Sequence, residues 1–290
     1  MYRVQIIPEQ STLGNNRGPA VGMFALQQAL RKHGLPDWLS IGDGERLDYD
    51  VIPCYWLYTH GRDAVKCHEQ GRPFIIGQNM LFEDSRNPKR YGHEWIICES
   101  PHCRLILTDG VGRYEKLIGE NLGANSKAKV VAVPYPVRPS YYVSPLISDV
   151  LIYAKSGYTE ETIESICSEF QNCRVARYGQ YTRKNLIHAA SDAKCCLYLS
   201  DNDRMPIAAA EILLTGCPLI GTAYGCPVVK AIPMIGMCIP DLTIATCVYA
   251  INELLELRWS RERIRVQATE FFSPARIAPL VIAALDEARQ

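Results

Sequence analysis

The residues best suited to chemistry lie in one stretch, Ser200-Asp201-Asn202-Asp203-Arg204-Met205-Pro206-Ile207-Ala208-Ala209-Ala210-Glu211, followed by Leu213-Leu214-Thr215-Gly216-Cys217-Pro218. An apolar, strand-like run ends in a polar loop, and Pro206 marks a helix start because its ring presets a first helical turn. The leading amides of a helix have no partners within it and carry partial positive charge. Arg204, Met205 and Pro206 therefore open a place where an anion such as a diphosphate can be held without a metal. Glu211 sits further along the same helix, where a carboxylate can accept hydrogen bonds from both hydroxyls of a ribose. The same residues also suit an ordinary helix, with Asp203 as its cap and Glu211 solvated.

Asp203 and Glu211, eight positions apart and followed by a small-residue helix and the Gly216-Cys217-Pro218 turn, resemble the donor-binding motif of retaining GT-B glycosyltransferases of the group 1, family 4-like type. The resemblance implies that Asp203 contacts the transferred sugar and Glu211 the ribose. The chain departs from the family in carrying an aspartate instead of the usual glutamate at the first acid, and in lacking the glycine-rich stretch after it.

A second likeness is Val150-Leu151-Ile152-Tyr153-Ala154-Lys155-Ser156-Gly157, which resembles the first strand of the family's C-terminal domain. Lys155 stands where the family has an arginine that clamps the donor diphosphate. The lysine usual about five residues later is replaced by Glu160. Arg183 and Lys184, at the head of a candidate helix, are substitutes for the missing cation, because cations stabilise charge developing on a leaving diphosphate. They equally suit a solvated basic helix start.

Tyr178 and Gly179 align with the family's loop beside the donor base, where tyrosines can also simply pack. In the N-terminal half, Gly14, Asn15 and Gly18 belong to a glycine-containing loop that in the family covers donor phosphates or acceptor, although any Rossmann-like domain needs a turn there. Asn79 and His60 are the acceptor-side candidates. No His-x-x-x-His or carboxylate–histidine cluster supports a metal, and Gly-x-Gly-x-x-Gly is not met.

The reaction so implied is a hexosyl transfer from a nucleoside-diphosphate sugar, with UDP or GDP as leaving group, to the hydroxyl of a glycan, lipid-linked or small-molecule acceptor. It would proceed with retention and without cofactor or metal. Three alternatives share parts of the pattern: a catalytically silent GT-B nucleotide-binding or interaction protein, a nucleotide-sugar epimerase, and a plain Rossmann-type oxidoreductase.

The elements that must position these residues follow from length and periodicity. With 290 residues, the chain exceeds what one core usually serves, so two domains of roughly 130–150 residues are expected. At 48% hydrophobic and 21% charged residues, it is composed to fold throughout. Short apolar runs alternate with helical patterns, the rhythm of a parallel sheet covered on both faces. Strands are expected at residues 2–7, 38–41, 51–57, 74–77, 96–98, 105–108 and 130–133, with a first helix over 20–33 stopped by Gly34. Three prolines, Pro134, Pro136 and Pro139, then interrupt both helix and strand. The rhythm restarts with strands at 149–154, 173–177, 195–199 and 218–221, and helices at 160–170, 183–191 and 206–214. Helices over 242–257 and 274–289 close the chain.

The expected fold is α/β, GT-B, with two Rossmann-like doubly wound domains facing across a cleft. Residues 1–140 form the acceptor-side domain and 141–290 the donor domain, with the last helix a candidate for crossing back. Zero formal charge argues against nucleic acid as a partner. No apolar run of eighteen residues and no signal-peptide pattern is present, so the expectation is a cytoplasmic protein without a transmembrane segment, open to peripheral membrane contact. The twelve cysteines form no Cys-x-x-Cys pair and read as small buried core residues.

Overall fold

The computed structural model describes residues 1–8, 18–42, 48–55, 61–77, 97, 99–108, 127–137, 142, 144–201, 203, 207–257 and 259–290. They group into two compact units, one of residues 1–136 with 274–290 and the other of residues 137–273. The division falls after Pro136 instead of at 140, and the final helix groups with the first unit.

In the first unit, β1 (Arg3–Ile7), β2 (Leu39–Ile41), β3 (Val51–Tyr55), β4 (Phe74–Ile76), β5 (Cys103–Thr108) and β6 (Lys129–Ala132) form one sheet in the order β2-β1-β3-β4-β5-β6. All its pairings are parallel. Helix α1 (Gly18–His33) ends at Gly34, whose φ of +101° is the left-handed conformation glycine adopts without a Cβ penalty. Helix α2 (Gly61–Glu69) covers the other face, burying Ala64 and Cys67 against Phe74 and Ile106. Residues 96 and 98 of the strand expected at 96–98 lie outside the described residues. Ile97 between them is helical and fully buried. A three-residue apolar run carries too little periodicity to separate the two states.

In the second unit, β7 (Ser148–Ala154), α3 (Glu160–Cys167), β8 (Cys173–Arg177), α4 (Arg183–Asp192), β9 (Ala193–Leu199), α5 (Ile207–Leu214), β10 (Leu219–Thr222), α6 (Val228–Ala231), β11 (Gly236–Ile239), α7 (Ile244–Glu256) and α8 (Arg261–Phe272) follow in sequence. The chain then enters α9 (Pro274–Ala288), which packs against α1 of the first unit through Ile277, Val281 and Leu285. The second sheet is parallel in the order β11-β10-β9-β7-β8. Residues Val150–Ala154 are all buried, as a central parallel strand covered on both faces requires.

Helix starts follow from their caps: Thr159, Thr182, Thr243 and Ser260 each accept an amide of the following turn through the side-chain oxygen. Strand β11 and helices α6 and α8 lie outside the sequence expectations. Helix α8 is charged on most of its surface, and only Ile264, Ala268 and Phe272 are buried, too sparse a stripe to read as amphipathic. Together, α8 and α9 make a stretch, Arg261–Ala288, long and apolar enough by length and composition to cross a membrane. Of its apolar residues, Ile264, Phe272, Ile277, Val281 and Leu285 are buried in the protein, whereas Val266 and Leu280 are exposed.

Among the described cysteines, eight are buried thiols and Cys238 is exposed. Cys167 and Cys173 instead form a disulfide, because the turn between α3 and β8 brings their Cα atoms to 5.4 Å, within bridging range.

Candidate functional site

Strand order locates the site. In the second sheet β7 has β8 on one side and β9 on the other, so the chain reverses its direction of winding between β7 and β9. At such a switch point the loops leaving the carboxyl ends of the two strands diverge and leave a crevice. Lys155 leaves β7 there, and Ser200, Asp201 and Asp203 follow β9.

Two glycines set how closely the loops pack. Gly157 has φ +70°, and a Cβ on it would lie 2.6 Å from the Cβ of Asp201. A Cβ on Gly225 would lie 1.6 Å from the Ser200 carbonyl oxygen. The Ser156 hydroxyl donates to Asp201 Oδ1 at 2.6 Å and lies 3.1 Å from the Ser200 hydroxyl. The Asp203 amide donates to the Tyr224 carbonyl at 3.0 Å, so loops after β7, β9 and β10 are tied together.

Asp203 is buried at 8% exposure. Its Oδ2 accepts from the Tyr198 hydroxyl at 2.8 Å and lies 2.6 Å from Lys155 Nζ. The Lys155 ammonium also lies 5.5 Å from the centre of the Tyr178 ring, a cation–π distance. Tyr178 is exposed at 51%, and Gly179 beside it turns the chain with φ +81°.

Glu211 is 6% exposed on α5, which replaces the reading of a solvated helix residue. Eight positions from Asp203, it falls on the inward side of α5, and Arg183, the first residue of α4, pairs with it through Nε and Oε1. Burial pushes the Glu211 carboxyl above its ordinary range, against the opposing pull of Arg183. Lys184, next to Arg183, is exposed.

Glu160 and Arg177 form a two-pronged pair, Arg177 Nε to Glu160 Oε1 at 3.0 Å and Nη2 to Oε2. Arg177 closes β8, so a guanidinium stands at the carboxyl edge although position 160, where the second cation is expected, is glutamate. That cation was not singled out from the sequence. Nor were Tyr153 and Tyr198, although each is the penultimate residue of an apolar strand, a repeat that is legible once β7 and β9 are aligned.

The structure thus brings together Lys155, Asp203 and Tyr178 in one group, and Arg183 and Glu211 in another. Gly18 opens α1 of the first unit. Arg204, Met205, Pro206, Gly14, Asn15, Asn79 and His60 lie outside the described residues, so α5 is described from Ile207 and not from Pro206.

A groove of about 540 Å³ exists elsewhere, in the first unit, lined by Tyr2, His102, Arg104, Lys127, Lys129 and Glu287 among others. It lies at the amino ends of β1, β5 and β6, the edge where parallel α/β sheets do not bind ligand. Within it the Lys129 ammonium pairs with Glu287 at 2.6 Å.

No protein-family model and no curated protein matches the chain. Solved structures do. A sucrose-phosphate synthase from Thermosynechococcus elongatus aligns with a TM-score of 0.68 at 13% identity, over 99% of each chain. HepE from Anabaena, in complex with UDP and glucose, aligns at 0.66 and 10% identity, over 99% of this chain and 100% of that one. AviGT4, a glycosyltransferase involved in avilamycin A biosynthesis, aligns at 0.57 and 12% identity, over 100% of this chain and 98% of that one. The chain has the GT-B fold, and along its whole length its structure resembles those of glycosyltransferases.

Proposed function

We propose that this protein is a glycosyltransferase that moves a hexose from a nucleoside diphosphate to an acceptor hydroxyl with retention, holding its donor in the second unit. The observation that carries the reading is the pairing of two acids with two cations at the carboxyl edge of β7 and β9: Lys155 on Asp203, and Arg183 on Glu211. Asp203, Lys155 and Glu211 stand at the positions to which the resemblance to GT-B glycosyltransferases assigns sugar, diphosphate and ribose, with Arg183 as a substitute for the second cation. In this reading the Glu211 carboxylate, kept near Arg183, receives the ribose hydroxyls. The Lys155 ammonium exchanges Asp203 for a phosphate oxygen as the diphosphate leaves, and the leaving diphosphate takes the proton of the attacking hydroxyl. Lys155 and the amides opening α5 stabilise the departing charge in a partly desolvated place. UDP bound to HepE, as its structure records, supports a nucleotide of that class.

One observation favours a second reading, a silent nucleotide-binding protein. Lys155, Arg177 and Arg183 each already carry a carboxylate partner, so a diphosphate must displace acids to use them. Calorimetry with UDP and GDP, followed by incubation with radiolabelled nucleotide sugars, separates the two. Binding with release of labelled sugar, to water or acceptor, is the transferase outcome. Binding without any turnover is the silent one, and no binding at millimolar nucleotide removes both.

A further inference from the structure

We propose that Tyr198 is a positioning residue of the donor site, whose buried hydroxyl holds the Asp203 carboxylate and, through it, the Lys155 ammonium in a single arrangement. The inference rests on the glycosyltransferase reading above.

Tyr198 is fully buried, and its hydroxyl donates 2.8 Å to Asp203 Oδ2, the same oxygen that Lys155 Nζ reaches at 2.6 Å. Two donors on one carboxylate oxygen restrict its rotation far more than either alone. The tyrosine is itself held from the neighbouring strand, because the register of β7 against β9 sets Tyr153 opposite Tyr198. The two rings stack with centres 4.6 Å apart at 29°. The Tyr153 hydroxyl in turn accepts from Tyr181 at 2.9 Å, with the Tyr181 ring edge-on at 5.7 Å. Burial, and then the Asp203 charge, hold the Tyr198 hydroxyl protonated, so it stays a donor across the physiological range.

A free lysine samples many rotamers on its four-carbon stem. Lys155 is anchored by an acid that is anchored by a phenol, so its ammonium is already at the carboxyl edge of β7 when a diphosphate arrives. An ångström of misplacement at a reacting centre costs on the order of a hundredfold in rate.

The test compares wild type, Tyr198→Phe, Asp203→Ala and the double variant in UDP binding, sugar-release kinetics and melting temperature. Phenylalanine keeps the stack on Tyr153 and deletes one oxygen. Tyr198→Phe should bind UDP within about threefold of wild type while its turnover falls about ten- to a hundredfold. Added to Asp203→Ala, it should cause no further loss, because it acts through that carboxylate. Unchanged turnover in folded Tyr198→Phe, or a full additional loss in the Asp203→Ala background, overturns the inference and leaves the transferase reading standing. A wild type that neither binds UDP or GDP nor turns over a nucleotide sugar overturns both. If Tyr198→Phe does not fold, 3-fluorotyrosine placed at 198 substitutes for it. That residue keeps the ring and strengthens the donor, and a turnover unchanged by it likewise overturns the inference.

Discussion

Removing the guanidinium that faces Glu211 gives the most informative perturbation of this site. In Arg183→Ala the Glu211 carboxylate, 6% exposed, keeps its burial and loses the ion pair with Arg183. Breaking a fully buried pair by deleting one partner costs about 3–5 kcal/mol. Arg183 is 45% exposed along its side chain, so solvent screens the pair and the loss is about 1–2 kcal/mol near neutral pH.

The pH dependence has a definite sign. Burial already raises the Glu211 carboxyl above its ordinary value against the pull of Arg183, and removing Arg183 raises it further. A carboxyl raised on folding binds more protons in the native state. It therefore favours the native state below its unfolded value of about 4.3, and that favour is lost as pH rises through the folded value. The stability deficit of Arg183→Ala relative to wild type should consequently be largest at pH 8 and shrink by pH 5, where protonation removes the uncompensated charge. Thermal melts of both proteins at pH 5, 6, 7 and 8 read this directly, and UDP titrations over the same range should show affinity falling with acid earlier in the variant. Equal deficits at pH 5 and pH 8 would refute the claim that Glu211 is the charge Arg183 serves.

Four further outcomes are expected. Glu211→Ala should weaken UDP or GDP binding about ten- to a hundredfold by calorimetry, the scale of lost charge-assisted hydrogen bonds, and an unchanged affinity in the folded variant would remove the ribose role. Lys155→Ala should lower turnover more than donor binding in steady-state kinetics, whereas equal losses would argue against stabilisation of the departing diphosphate. Gly225→Ala places a methyl 1.6 Å from the Ser200 carbonyl oxygen, which the backbone must move to admit. It should melt lower by the equivalent of about 1–3 kcal/mol and impair nucleotide binding with it. Arg261→Ala removes guanidinium bonds to the carbonyls of Ala193, Ala190, Ser191 and Thr215, at 2.6 to 3.2 Å. A loss of about 3 kcal/mol in stability with nucleotide affinity kept is expected, since those carbonyls lie at the edge of the second sheet away from the site.

Local pattern sufficed for β7, β8, β9 and β10, though not for β11 at the end of the second sheet. The apolar runs of β7, β8 and β9, with threonine caps and turn glycines between helix and strand, place every strand that carries Lys155, Arg177 and Asp203 to within two residues of its observed bounds. Alternation of such runs with helical patterns also dictated two parallel α/β units, because each run needs covering on both faces. Isolated Ile97 and the weakly striped α8 escaped, since short or sparse apolar patterns do not distinguish a helix from other buried chain.

Partner choice was a matter of three dimensions. Glu211 could be read in sequence as solvated or as ribose-facing, and its burial followed only from how α5 lies on the sheet. Glu160 read as a missing cation, yet the guanidinium of Arg177, seventeen residues on, meets it across the edge of β8. Tyr198 shares an oxygen with Lys155 because β9 lies beside β7 at that register. Spacing along a chain records which residues occupy one strand or helix, whereas pairs between elements depend on strand order and register, which long-range packing sets.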